Sequence, residues 1–184
     1  TSLIGGNYTY YVNITDKANN KNSTTVRTIN LDTAFPSLSI SYPVNTTYNI
    51  NVSALNYTSN GVSCWYSTNN GATNSSPQAC GTNWTGVISS EGSNTWILYA
   101  NDSAGNSNST NVTFFKDTVY PLISFGAGTE NNNTNFSRNW VYVNTSWTEL
   151  NFKNITFSLY NDTELVNRTN YIIAAYSINF TNLI

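Results

Sequence analysis

Trp96-Ile-Leu-Tyr-Ala-Asn-Asp-Ser-Ala-Gly-Asn106 puts Trp96, Leu98 and Ala100 at every second position and then breaks into a turn at Ala104-Gly105-Asn106. A period of two predicts a strand buried on one face, and the Gly-Asn pair is turn chemistry. The same phase occurs 86 residues upstream, where Tyr10, Val12 and Ile14 alternate and Asp16-Lys-Ala18-Asn-Asn20 matches Asp102-Ser-Ala104-Gly-Asn106. Asn22-Ser-Thr24 and Asn108-Ser-Thr110 keep that offset. Asp32-Thr-Ala-Phe-Pro36 returns 85 residues later as Asp117-Thr-Val-Tyr-Pro121, and Leu38 and Ile40 then match Ile123 and Phe125. The lost residue falls between Val26 and Asp32, where a strand bulge would absorb it. Shared phase at a fixed period identifies an internal repeat.

The complete copy spans residues 35–119, with strands expected at 38–42, 49–55, 62–67, 82–89, 94–101 and 108–116. Turn signals at Ser59-Asn60-Gly61, Asn69-Asn70-Gly71, Glu91-Gly92 and Ala104-Gly105-Asn106 separate them. Short alternating strands without helical periodicity describe an all-β fold, an antiparallel β-sandwich. Residues 1–34 hold only the last two strands of a copy, at 8–14 and 26–31. Residues 120–184 hold only earlier ones, at 122–125, 140–147, 154–160 and 176–180, so one domain is split between the two ends of the sequence. Alone, the later fragment is expected to leave Trp140, Val141, Val143, Phe157 and Ile178 facing water. The sequence opens at Thr1 in what reads as mid-domain, so a mature piece or an internal segment of something longer is expected.

Charged residues make up only 9% of the 184 positions, against 33 Asn, 26 Thr and 22 Ser. Aromatics at 14% and recurrent Val, Ile and Thr are strand formers and argue against disorder. The net charge of −2 and the scatter of Lys17, Lys21, Arg27, Lys116, Arg138, Lys153 and Arg168 speak against a nucleic-acid partner. No apolar run approaches a membrane span; Tyr171-Ile-Ile-Ala-Ala-Tyr176 is strand-sized.

Asn-x-Ser/Thr acceptors occur at Asn7, Asn13, Asn22, Asn45, Asn51, Asn56, Asn74, Asn83, Asn101, Asn108, Asn111, Asn132, Asn135, Asn144, Asn154, Asn161, Asn167 and Asn179. Chance in this composition yields roughly nine, so the excess implies selected acceptors and an extracellular, cell-surface location. Asn22, Asn74, Asn108 and Asn132, on turns or outward positions, are expected to be modified first. Cys64 and Cys80 suit that compartment and are expected to form a disulfide. Closing this loop is worth roughly 3 kcal/mol.

The strand ending at Asn101-Asp102, the Asp-Ser-Ala-Gly-Asn106 turn and the Asp117-Thr-Val-Tyr-Pro121 join resemble the immunoglobulin-like tandem repeats of prokaryotic, especially archaeal, surface proteins. The resemblance covers essentially the whole chain and implies tandem immunoglobulin-like sandwiches serving in stalks, adhesins, surface layers or filaments. Asn19 departs from the pattern by standing where the glycine does, and Asn also tolerates a left-handed turn. The antibody-type Cys, Trp, Cys arrangement is absent, so Cys64 and Cys80 are expected to staple a loop locally.

Without histidine there is no base to serve a Ser or Cys nucleophile, and the nine carboxylates are well spread. No enzyme, cofactor or metal site is therefore expected. Calcium at a domain junction, through Asp16, Asp32, Asp102 and Asp117, is a weaker reading than carboxylates that shape turns and linkers. The expected function is a structural segment of a glycosylated surface filament or stalk, with itself as partner and joined head to tail by completion of the split domain. The alternative is an adhesin module that meets surface glycans, proteins or other cells through exposed aromatics.

Overall fold

The computed structural model describes residues 2–183, and the chain divides into two compact units, Thr1–Thr118 and Val119–Ile184. The described residues form strands and turns, with no helix. The first unit holds β1 (Gly6–Tyr10), β2 (Asn13–Thr15), β3 (Lys21–Ser23), β4 (Arg27–Leu31), β5 (Leu38–Tyr42) and β6 (Thr47–Tyr48). It continues with β7 (Ala54–Ser59), β8 (Ser63–Ser67), β9 (Gln78–Ala79), β10 (Trp84–Thr85), β11 (Gly92–Asn101) and β12 (Ser107–Lys116). The second unit holds β13 (Leu122–Phe125), β14 (Val141–Thr148), β15 (Ile155–Tyr160), β16 (Leu165–Tyr171) and β17 (Ser177–Phe180).

β5 to β12 make two sheets, ordered β10-β7-β5 and β6-β12-β11-β8-β9. All neighbours are antiparallel except β6 beside β12. This order, with β5, β7, β8, β11 and β12 in the places of strands A, B, C, F and G, is that of an immunoglobulin-like sandwich. The inward residues of β11 alternate as expected, and Trp96, Leu98 and Ala100 are fully buried. Trp96 meets Phe114 edge to face at 5.1 Å, with Val52, Leu55 and Val87 around them. Tyr57, Cys64, Leu98 and Ala100 form the adjoining cluster.

Two expected strands move. Of the segment read as 49–55, residues 49–53 are a loop and only Ala54 and Leu55 belong to β7, because Val52 and Leu55 are both buried at a spacing of three, which no continuous strand allows. Val52 N–H bonds the Ser89 hydroxyl at 3.0 Å instead of a ladder partner. The strand read as 82–89 shrinks to Trp84–Thr85, since Gly86 has φ 73° and breaks the ladder. Val87 N–H rejoins Ser53 O at 3.1 Å.

Residues 6–31 form two stacked ladders of one hairpin, β1 with β4 and β2 with β3. Ile14 faces Asn22 and Thr24 N–H reaches Val12 O, yet Tyr10 already faces Arg27. The extra residue of this copy therefore sits between Thr24 and Arg27, slightly ahead of the place expected from the sequence.

The second unit packs sheet β13-β14-β17 with the hairpin β15-β16 around buried Ile155, Phe157 and Phe180. Phe157 was expected to face water but is enclosed here, and Val141, Val143 and Ile178 are half-buried. Trp140 is exposed just before β14, with the Arg138 guanidinium 3.8 Å over its ring. β16 was not anticipated: most of its side chains are exposed, so it carries little apolar signal. Asn161 Oδ1 accepts N–H bonds from Thr163 and Glu164 and turns the chain into it.

Candidate assembly surfaces

The two copies of the Asp-x-Ala-x-Asn turn have the same geometry. Asp102 Oδ1 accepts from Ala104 N–H and Asn106 N–H, each at 2.9 Å, and Oδ2 accepts from Asn106 Nδ2 at 2.9 Å. Asp16 Oδ1 accepts from Ala18 and Asn20 N–H at 2.8 and 2.9 Å, and its Oδ2 from Asn20 Nδ2 at 2.9 Å. Asn19 takes φ 68° where Gly105 takes 90°, so asparagine fills the left-handed position that the sequence assigned to it. The side-chain amides of Asn20 and Asn106, followed by backbone N–H groups, hold both carboxyls below the usual Asp range.

The turn of the complete copy also grips the linker that leads into its own sandwich. Asn106 Nδ2 donates to Asp32 O at 3.1 Å, and Asn108 Nδ2 donates to Pro36 O at 2.9 Å. Asn108 Oδ1 accepts Ser109 N–H at 2.8 Å, which fixes the amide's orientation. Asp32 Oδ1 accepts Ala34 N–H at 2.9 Å and shapes the linker. Asp117 N–H donates to Tyr48 O at 2.9 Å. Among the described residues no three His, Cys, Asp or Glu side chains gather as a metal site.

Equivalent apolar positions have opposite environments. Tyr10, Val12 and Ile14 are 49%, 64% and 70% exposed, whereas Trp96, Leu98 and Ala100 at the same register are 0% exposed. From residue 2 to residue 35 no side chain is buried. In the second unit Leu122, Ile123 and Phe125 are exposed, and a cleft of about 290 Å³ opens between the sheets. Ile123, Phe125, Val143, Ile155, Phe157 and Phe180 line it. β8 in the sandwich pairs with β11 on one edge and β9 on the other, but β15 pairs with β16 alone.

Cys64 and Cys80 are disulfide-bonded, with Cα atoms 5.1 Å apart. The bond spans the hairpin of β8 and β9, a local staple whose Cys64 end is in the core. Of the 18 acceptor asparagines, 15 are exposed and Asn56, Asn101 and Asn144 are half-buried. Nδ2, the atom that would carry sugar, already donates at Asn108 and at Asn144, the latter to Ala127 O at 2.9 Å. Trp65 and Tyr99, cross-strand partners, stack at 5.5 Å and 7°. The phase of β11 puts Tyr99 opposite the core residues Leu98 and Ala100, a signal present in the sequence but not followed there.

No family model and no curated protein matches the chain. Among solved structures it is similar to the fibronectin(III)-like modules of Clostridium thermocellum CbhA, at a TM-score of 0.40 and 12% identity, over 80% of each chain. It is also similar to a β-glucuronidase of Bacteroides uniformis, at a TM-score of 0.37 and 13% identity, over 79% of this chain and 21% of that one. The assignment of the fold rests on the strand order itself.

Proposed function

We propose that the chain is a non-catalytic structural module of an extracellular, glycosylated surface filament or stalk, built from tandem immunoglobulin-like domains. One copy of the repeat joins the next when its hairpin of residues 1–34 completes the sandwich begun by residues 120–184 of its neighbour. The observation that carries this reading is the exposure of Tyr10, Val12 and Ile14 at the register where Trp96, Leu98 and Ala100 are buried. Strand inventory supports it. Among the described residues the second unit holds counterparts of β5, β7, β8, β9 and β10 and none of β6, β11 or β12, the last two of which β1 to β4 match by register. Covering apolar side chains of this size is worth roughly 1.5–3 kcal/mol each, and closing the edge of β15 removes a site for aggregation. Such a contact joins two different surfaces and propagates without closing.

Sedimentation velocity and electron microscopy at rising concentration test the reading. Head-to-tail oligomers are expected, and Val12→Asp should abolish them while leaving the melting of residues 35–118 in place. A chain that stays monomeric at every concentration would refute it. The stacked pair Trp65 and Tyr99 favours a second role as an adhesive platform for carbohydrate. Under that reading, surface polysaccharide quenches the fluorescence of the intact chain and Trp65→Ala removes the response.

A further inference from the structure

The linker grip described above exists once in full and once by halves. In the complete copy, Asn106 and Asn108 hold the carbonyls of Asp32 and Pro36, which lead into β5. The first copy repeats the donor half: Asn20 is fixed on Asp16, and Asn22 Oδ1 accepts Ser23 N–H at 2.8 Å just as Asn108 Oδ1 accepts Ser109 N–H. This leaves Asn22 Nδ2 turned as Asn108 Nδ2 is turned, with no acceptor among the described residues. The acceptor half recurs as Asp117-Thr-Val-Tyr-Pro121, ahead of β13 as Asp32 to Pro36 stand ahead of β5.

We propose that Asn20 and Asn22 of one copy clasp the 117–121 linker of a second copy, Asn22 Nδ2 donating to Pro121 O and Asn20 Nδ2 to Asp117 O. The inference rests on the split-domain reading and adds to it the polar contact that sets register. Apolar strands can slip by two residues and keep their buried face. Two directed amides at the turn select one alignment, because a shifted strand leaves these donors without their acceptors. A glycan on Asn22 leaves one N–H on Nδ2, so modification and clasp are chemically compatible.

Thiol crosslinking between copies of the full, unglycosylated chain tests this. Asn22→Cys chains are mixed with Pro121→Cys chains and treated with a short bis-maleimide, beside a mixture of Asn45→Cys with Pro121→Cys. Pro36→Cys with Asn108→Cys in one chain supplies the intrachain reference. Dimers in the first mixture at several times the yield of the control support the clasp. The Asn20→Ala, Asn22→Ala double variant should then self-associate about tenfold more weakly, for two lost hydrogen bonds. Oligomers that form while the first mixture crosslinks no better than the control overturn the clasp and leave the split-domain reading standing. Chains that remain monomeric throughout overturn both.

Discussion

Trp96 concentrates the energetics of the sandwich in one side chain. It is fully buried against Phe114, yet its indole N–H has no partner within the described residues. Trp96→Ala should therefore cost about 3–5 kcal/mol through the cavity it opens. Trp96→Phe should cost clearly less, because it also deletes a buried donor whose lack of a partner is worth about 1–3 kcal/mol. Urea unfolding of the two variants checks the order, and equal losses would contradict it. Lys116 is the converse case. The alternation of β12 points it inward after Phe114, and it is buried with Nζ 3.2 Å from Glu91 and 2.8 Å from Asn51 Oδ1. The phase of the strand was legible, but the carboxylate that makes a buried ammonium tolerable comes from just ahead of the paired strand β11, 25 residues away in sequence, and was not.

At the scale of the element, the Asp-x-Ala-x-Asn turn is a latch that acid should open. Asp102 has its carboxyl lowered, chiefly by the side-chain amide of Asn106. A group lowered on folding contributes stability that is complete above the unfolded carboxyl's value, about pH 4, and is lost as the pH falls through the folded one. Thermal unfolding followed from pH 6 to pH 2 should show that decline, and Asp102→Asn should flatten it. An identical acid limb in the variant would assign the decline to other carboxylates. This turn was readable because its chemistry lies within five consecutive residues. Long strands with strict alternation, β11 and β12, were equally plain. What escaped was the late start of β7, set by the distant Ser89, the break set by the backbone of Gly86, and the hairpin strand β16, whose exposed side chains give little pattern. The outward stack of Trp65 on Tyr99 was within reach of a strict count of phase. The cleft of the second unit was not, since its lining comes from β13, β14, β15 and β17 and depends on how the two sheets meet.

For the whole molecule, a chain with 9% charged residues has few charges to keep it soluble, and under the proposed glycosylation the acceptor asparagines would supply that role. Exposed acceptors such as Asn74 and Asn132 should be occupied more completely than the half-buried Asn56, Asn101 and Asn144. Intact glycopeptide analysis of the native material checks this, and bare asparagines at the exposed positions would count against an extracellular route. Under the proposed glycosylation, enzymatic removal of the sugars should lower solubility at unchanged fold. The disulfide has a further, mechanical consequence. A tether under load lengthens when one of its domains unravels, but the 16-residue separation between Cys64 and Cys80 stays locked while the bond is intact. At about 3.3–3.6 Å per extended residue, the bond withholds roughly 50 Å of contour length per sandwich. Single-molecule pulling should show the longer step only after reduction, so in the proposed thread of such domains the oxidised form is the less extensible one.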